Sequence, residues 1–246
     1  MKPPRYDGLD AEELRRRTGA ARVELRSSVG SALDVAHELA AAGAPQGLLV
    51  LAEEQTAGRG RQGRSWHSAA GAGVWVVALL RPATPPSAGA LAIRVGLGLV
   101  EAVAEAAPRA EPRLKWPNDL MVRDRKAGGV LCEARWQGRK LGWIAVGIGV
   151  NVRGPAPPGL RHEAIALKAA DASVTRIRLL EGLVPRLWGA AEPAMLEEAE
   201  RDAFLRLRWR PDGGAEEELG TVGVDQDGAL LVAAADGSLD RRVVPA

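Results

Sequence analysis

A chain of 246 residues, 46% apolar and 26% charged, can bury a sizeable core, as one large domain or a large one with a small companion. Its formal net charge of +2 excludes a general nucleic-acid or membrane-surface binder, and its single cysteine, Cys132, excludes a disulfide framework and a cysteine-rich metal site. His37, His67 and His162 are scattered, no apolar run is long enough to span a membrane, and the start Met-Lys-Pro-Pro-Arg has no signal-peptide core, so a cytoplasmic protein is the expectation.

Residues 1–22 are polar and arginine-rich, and too short for a helix-turn-helix domain. Asp10 with Glu13 reads as a capping box for a short helix through Arg17. Val23 and Leu25 read as a strand that turns at Ser27 and Ser28. Ser31 caps a helix from about 32 to 42, with Leu33, Ala36 and Leu39 on one face. Residues 47–52 and 73–80 are unbroken apolar runs, the pattern of strands buried on both sides. A long Ala/Leu/Val helix is predicted over 88–107. Residues 112–151 read as four strands, at 113–116, 120–123, 129–136 and 140–150, with turns at Pro117-Asn118-Asp119, Asp124-Arg125 and Gln137-Gly138. Gly147 and Gly149 alternate in the last strand, a sign that something approaches its backbone. A Pro/Gly linker at 153–160 precedes a short helical piece at 165–170. An amphipathic stretch over 175–207 follows, kinked or divided by Pro185 and Pro193, and Trp209-Arg210-Pro211 closes the main domain. Residues 216–246 alternate short strands with Asp-Gly turns, a small β-barrel-sized module that must lean on the main domain.

Between the two apolar strands, residues 55–66 interleave Arg59, Arg61 and Arg64 with Gly58, Gly60 and Gly63. Glycine lets backbone N–H groups converge and arginine adds a planar cation, so the loop can wrap an anion; a solvated basic hairpin is the plain alternative. Gly58, Gly60 and Gly63 also match a dinucleotide fingerprint, but that motif needs a helix opening inside the glycines, and here a turn and a strand follow. Gln55, at a strand end, can both donate to and accept from an amide or ureido group. Trp66 can stack on a flat ring or simply pack.

Arginine outnumbers lysine 28 to 5, and the chain has two asparagines, Asn118 and Asn151. In a chain that avoids Lys and Asn, their clustering in Lys115-Trp116-Pro117-Asn118-Asp119 points to a site that orients a phosphate, a metal or an amine, against the alternative of a capped β-turn. Lys126, before Ala127-Gly128-Gly129, can aim a compact charge over bare backbone, or be a solvated hairpin lysine. Cys132 sits in an apolar run and reads as buried and inert.

Four stretches in series resemble biotin–protein ligases: 54–66, Lys115–Leu120, Arg125–Glu133 and Gly147–Val152. The resemblance covers roughly residues 25–246. It implies an α+β fold with a central mixed β-sheet flanked by helices, like class II synthetase catalytic domains, plus a small C-terminal SH3-like β-barrel. The implied division is an N-terminal extension at 1–22, a biotin- and ATP-binding catalytic domain at 23–211 and an SH3-like domain at 212–246. The implied reaction activates biotin with ATP and Mg2+ as biotinyl-5′-AMP, then transfers biotin to a lysine of a biotin carboxyl carrier protein. By resemblance the catalytic residues are Lys126, Arg59 and Asp119, the last facing the incoming lysine. Biotin falls to Ser31, Ala32, Leu33, Gln55, Arg59, Gly60, Arg61 and Lys126. The nucleotide falls to Arg59, Arg61, Trp66, Asn118, Lys126 and Asn151, with Trp66 against adenine and Asn118 facing phosphate or Mg2+; no protein metal ligand is assigned. The family's Ser-Thr-Asn before its first core helix reads Ser31-Ala32-Leu33 here, which leaves open how the biotin ring is held. A ligase without repressor activity or a DNA partner is expected, and a homodimer is compatible with the sequence. The competing readings are a lipoate or octanoate ligase or transferase on a related fold, and a biotin-binding module without catalysis.

Overall fold

The structure, a computed structural model, describes residues 4–155, 163–210, 220–234 and 236–244. The linker expected at 153–160, His162 and the domain boundary at 211–212 therefore fall largely outside the described residues.

The first helix, α1 (Ala11–Thr18), opens on the expected capping box: Glu13 N donates to Asp10 Oδ1 at 2.9 Å and Asp10 N to Glu13 Oε2 at 2.8 Å. Seven strands follow: β1 (Arg22–Arg26), β2 (Leu48–Ala52), β3 (Gly73–Leu80), β4 (Arg113–Lys115), β5 (Asp119–Val122), β6 (Arg125–Gln137) and β7 (Lys140–Asn151). They form one sheet in the order β1-β2-β3-β7-β6-β5-β4. β1 and β2 are parallel and the other pairs antiparallel, which makes the sheet mixed. A parallel pair needs a crossover, supplied by α2 (Ala32–Ala41).

The apolar runs are unbroken because both sheet faces are covered. Side chains alternate along a strand, so Leu49, Leu51, Val74, Val76 and Ala78 enter a core shared with α3 (Ala88–Ala106) and α4 (Arg176–Leu187). Leu48, Val50, Trp75 and Val77 enter a smaller core with Ala32, Leu33 and Ala36 of α2. Each fully buried Leu or Val contributes about 1.5–3 kcal/mol, so the sheet centre is held by packing more than by strand propensity.

Three expectations shift. Pro185 falls in the last turn of α4 and does not divide it; the break lies at 188–197, before α5 (Glu198–Leu207). The piece at 165–170 is a 3-10 turn, Leu167–Ala169. β6 begins at Arg125, four residues before the expected start, so Lys126 lies on a strand and not in a hairpin turn. The β5–β6 turn is made by Arg123 and Asp124, both at positive φ.

β8 (Thr221–Val224), β9 (Leu230–Ala233) and β10 (Leu239–Arg242) form a separate antiparallel sheet in the order β10-β9-β8. Its turn at 225–228 docks on the main domain. Ser87 Oγ donates to Asp227 O at 2.5 Å, Leu196 N to Gln226 O at 2.7 Å and Trp116 Nε1 to Gly228 O at 3.0 Å. Among the described residues no helix is long and apolar enough to cross a membrane.

Candidate active site

The sheet register lines up Asp119, Gly129, Gly149 and Trp75 across four strands. Residues opposite one another share a face, and Trp75 packs with α2, so this row lies on the α2 side. Period two puts Gly147 and Asn151 on the same face as Gly149. The result is a strip of sheet with two adjacent positions, Gly129 and Gly149, that lack side chains.

What approaches that strip comes from the chain itself. A Cβ at Gly149 would lie 2.5 Å from Trp66 Nε1, and one at Gly147 would lie 3.3 Å from Leu33 Cδ2. Trp66 meets Trp75 edge-on, with centroids 6.4 Å apart, and its buried Nε1–H has no acceptor among the described residues. A buried donor without a partner costs about 1–3 kcal/mol, so this N–H is suited to a ligand acceptor.

Charge gathers at the Asp119 end of the strip. Lys126 Nζ donates to Asp119 Oδ1 at 2.6 Å and sits 5.5 Å from the Trp66 ring centroid. The Lys126 backbone is fixed from outside the sheet: its N donates to Glu163 O at 2.8 Å and its O accepts from Ile165 N at 3.0 Å. Asn118 is pinned to β6, where its Nδ2 donates to Val130 O at 2.6 Å and its O accepts from Val130 N at 3.0 Å. Its free amide oxygen accepts from Arg61 NH1 at 3.2 Å, which brings the loop to the turn. Burial lowers the Arg61 pKa against the opposing pull of Asp119. Cys132 is half-buried and not fully buried as expected, and desolvation still raises its thiol pKa.

Lys115 lies opposite Asp119 in the β4–β5 register, and its Nζ sits 4.2 Å from the Trp209 ring centroid, while Trp116 reaches the C-terminal sheet. Asn118 and Asp119 are the members of the five-residue cluster that bond to Arg61 and Lys126.

The loop at 55–66 is ordered by its own backbone. Trp66 N donates to Gly58 O at 2.8 Å and Gly60 N to Arg64 O at 2.7 Å, around a short 3-10 turn at Arg61–Gly63. Arg59 NH1 pairs with Asp34 at 2.8 Å and its NH2 lies 3.5 Å from Glu133 Oε1. Gln55 is tied to protein partners: its Oε1 accepts from Ala32 N at 2.8 Å and its Nε2 donates to Ser68 Oγ at 2.8 Å. Ser31 Oγ accepts from Leu33 N at 3.3 Å and caps α2. A cavity of ≈ 290 Å³ under the loop is lined by Gln55, Thr56, Gly58, Trp66 and Ser68. A larger cleft of ≈ 600 Å³ lies at the start of α4, lined by Arg17, Arg153, Lys168 and Arg178, and holds none of the predicted site residues.

Arg61, Asn118, Asp119, Lys126 and Trp66 thus form one connected group, with Asn151 further along the same strand face as Gly149. Gln55, Ser31, Ala32 and Leu33 form a second group at the α2 N-terminus, and Arg59 joins it through Asp34. Asp34, His37, Ser68 and Glu133 belong to this region and were not singled out from sequence. Their partners lie 13 to 106 residues away, where no local pattern marks them. Among the described residues no three His, Cys, Asp or Glu side chains group into a metal site.

The biotin/lipoate A/B protein ligase family matches residues 31–151, the span that carries this geometry. The "Biotin--[acetyl-CoA-carboxylase] ligase" of Paracoccus denitrificans is 32% identical over 213 residues, covering 80% of this chain and 87% of its own. The chain belongs to the biotin protein ligase family. A second relative, "Bifunctional ligase/repressor BirA" of Bacillus spizizenii, is 37% identical over 147 residues, 58% of this chain; the match spans 45% of that protein's length. The fold is that of "Biotin protein ligase from Aquifex aeolicus in complex with biotin and ATP", with a TM-score of 0.71, 23% identity and coverage of 90% of this chain and 95% of the other. The Ser31 hydroxyl caps the helix, Ala32 offers only backbone, and Leu33 is buried against Gly147.

Proposed function

We propose that this chain activates biotin with ATP as biotinyl-5′-AMP and transfers the biotinyl group to a lysine of a biotin carboxyl carrier protein. One observation carries the reading: Arg61, Asn118, Asp119 and Lys126 meet at the end of a side-chain-free strip beneath a Gly/Arg loop. Trp66 and Leu33 cover Gly149 and Gly147, so an anionic ligand would lie against the Trp66 ring and the loop, with cations at the phosphate end. The relatives' names and the biotin and ATP bound in the Aquifex structure agree with it.

In the first step a carboxylate oxygen of biotin attacks the α-phosphorus. The O–P bond to the acyl group forms, and the bond to pyrophosphate breaks. Negative charge grows on the α-phosphate oxygens, where Lys126 and Arg61 place cations. Lys126 enters this step already paired with Asp119, which holds the ammonium in place in the half-buried site. If the ATP carries Mg2+, Asn118 and Asp119 offer oxygens that would hold it, and it would offset charge on the phosphates. In the second step the carrier lysine nitrogen attacks the acyl carbon, the C–O bond to AMP breaks, and the amine proton passes to a carboxylate; Asp119 is the base we assign to that role. Trp66 and the loop shield the mixed anhydride from water.

We assign biotin to the α2 turn (Ser31, Ala32, Leu33), Gln55 and the loop backbone from Arg59 to Arg61, and the nucleotide to Trp66, Asn118, Lys126 and Asn151. Residues 23–211 would form the catalytic unit and 212–246 the accessory one, in a cytoplasmic enzyme. The second reading, a lipoate or octanoate ligase, draws on Ala32 and Leu33, which remove polar side chains from the turn. Pyrophosphate release with ATP and each of biotin, lipoate and octanoate separates the two. Release with biotin alone supports this proposal; release with lipoate or octanoate alone, or with no acid, overturns it.

A further inference from the structure

Glu133 is the meeting point of a side-chain chain that runs from the sheet core to the Gly/Arg loop. Trp143 Nε1 donates to His37 Nδ1 at 2.9 Å. An indole N–H can only donate, so Nδ1 must accept, and the neutral imidazole carries its proton on Nε2. His37 Nε2 lies 2.9 Å from Glu133 Oε2 and donates to it. The other carboxylate oxygen, Oε1, faces Arg59 NH2 at 3.5 Å. Arg135, on the same face of β6 as Glu133 but more exposed, lies 3.3 Å from Oε2.

A loose pair at 3.5 Å between flexible side chains would hold little. Glu133 is not flexible in that sense. His37 is 12% exposed and Trp143 is buried, so the carboxylate is aimed by groups that are themselves fixed in the small core under α2. His37 and Asp34 are three residues apart on α2 and so share a face. Asp34 takes the Arg59 guanidinium from one side and Glu133 from the other. Asp34 is 56% exposed and Glu133 20%, which makes Glu133 the firmer anchor. The loop is therefore tied at two points, Arg61 to Asn118 and Arg59 to Glu133, on either side of the bare strip.

We propose that Glu133, aimed by His37, is a positioning residue that holds Arg59 where the loop closes over the acyl-adenylate. This rests on the biotin ligase reading and on a role for Arg59 in retaining the adenylate. Glu133→Gln keeps the acceptor for His37 but turns a neutral amide toward Arg59. His37→Gln keeps a donor for Glu133, whereas His37→Leu removes it.

The test loads the full chain with biotin and MgATP without carrier, then measures the rate at which biotinyl-AMP escapes into a chase of unlabelled biotin. Thermal melting serves as the control for folding. Glu133→Gln and His37→Leu are expected to speed escape about tenfold, His37→Gln to restore slow escape, and Glu133→Gln to add nothing in an Arg59→Ala background. Fast escape in Arg59→Ala with wild-type escape in Glu133→Gln and His37→Leu would overturn the positioning role while leaving that of Arg59. Wild-type escape in Arg59→Ala would remove the premise and the proposal with it. Absence of any biotinyl-AMP in the wild-type chain would instead count against the ligase reading. Equal effects of His37→Gln and His37→Leu would show that His37 acts only through packing, and would also overturn it.

Discussion

Lys126 Nζ lies 2.6 Å from Asp119 Oδ1, a charge pair formed within the protein before any ligand arrives. The pair fixes the lysine beside the strip formed by Gly129 and Gly149, and it couples the group we assign to the first chemical step with the one we assign to the second. Lys126→Ala should therefore cut biotin-dependent pyrophosphate release by about a thousandfold, the usual effect of losing a donor to transition-state charge. Folding should persist, because the Lys126 side chain is only half-buried and is not part of the hydrophobic core. Near-wild-type release would remove the role given to Lys126.

Gly149 lies directly beneath Trp66. A Cβ there would come within 2.5 Å of the indole nitrogen, so Gly149→Ala must displace Trp66 or bend β7. We expect a stability loss of about 1–3 kcal/mol and a weaker hold on biotin and nucleotide together. Calorimetric melting and titration check this. An unchanged melting temperature with unchanged affinity would mean that the indole stands clear of the strip in solution.

Gly228 joins the C-terminal sheet to the Asn118-Asp119 turn. Its carbonyl accepts from Trp116 Nε1, its φ is +86°, and a Cβ would lie 2.2 Å from the Gly89 carbonyl carbon. Gly228→Ala should cost on the order of 1–3 kcal/mol from the clash and should lower pyrophosphate release, although the residue lies outside the catalytic unit. Gly237→Ala is the control. Gly237 has φ +83° but open space around it, so only the backbone penalty of about 1–3 kcal/mol applies, and activity should be retained. Equal activity losses in both variants would show that Gly228 has no special link to the site.

Arg176 ties the N-terminal segment to the sheet. It is 3% exposed, donates to Asp7 and to Glu53, and lies 4.0 Å from the Tyr6 ring centroid. Burial alone would raise the Asp7 pKa, but the hydrogen bonds and charge of Arg176 outweigh it and hold the carboxyl below the ordinary carboxylate range. A lowered native pKa means stability that is fully present above the unfolded value, about 3.9, and lost as pH falls through the native one. Asp7→Asn should remove that part of the acid-side decline in denaturant melts, and an unchanged acid limb would refute the pairing. Arg176→Met should cost about 3 kcal/mol, the low end for breaking a buried pair, because both carboxylates keep some contact with water.

The sequence reading matched the structure best where burial leaves few choices. β3 starts and ends where its apolar run does, and the Asp10–Glu13 capping box fixes the start of α1. Lys126 falls outside the expected strand, which begins at Gly129, because Ala127-Gly128-Gly129 carries breaker chemistry. Pairing of Lys126 with Met121 of β5 on one side and with Ala164 on the other overrides that local preference. The predicted close approach at Gly147 and Gly149 is real, but Leu33 and Trp66 make it, and alternation alone could not identify them. Gln55 looked like a free amide at a strand end. Its partners, Ala32 N and Ser68 Oγ, arrive from a helix and a loop. Glu133 and His37 meet across 96 residues, and neither type in isolation carries a signal.

The most direct test of biotinylation is the mass of a biotin carboxyl carrier domain after incubation with this chain, biotin and MgATP. The account predicts the gain of one biotinyl group on one lysine, dependent on both small molecules and absent with Lys126→Ala. A carrier of unchanged mass, or one that gains a lipoyl group only when lipoate replaces biotin, would contradict it.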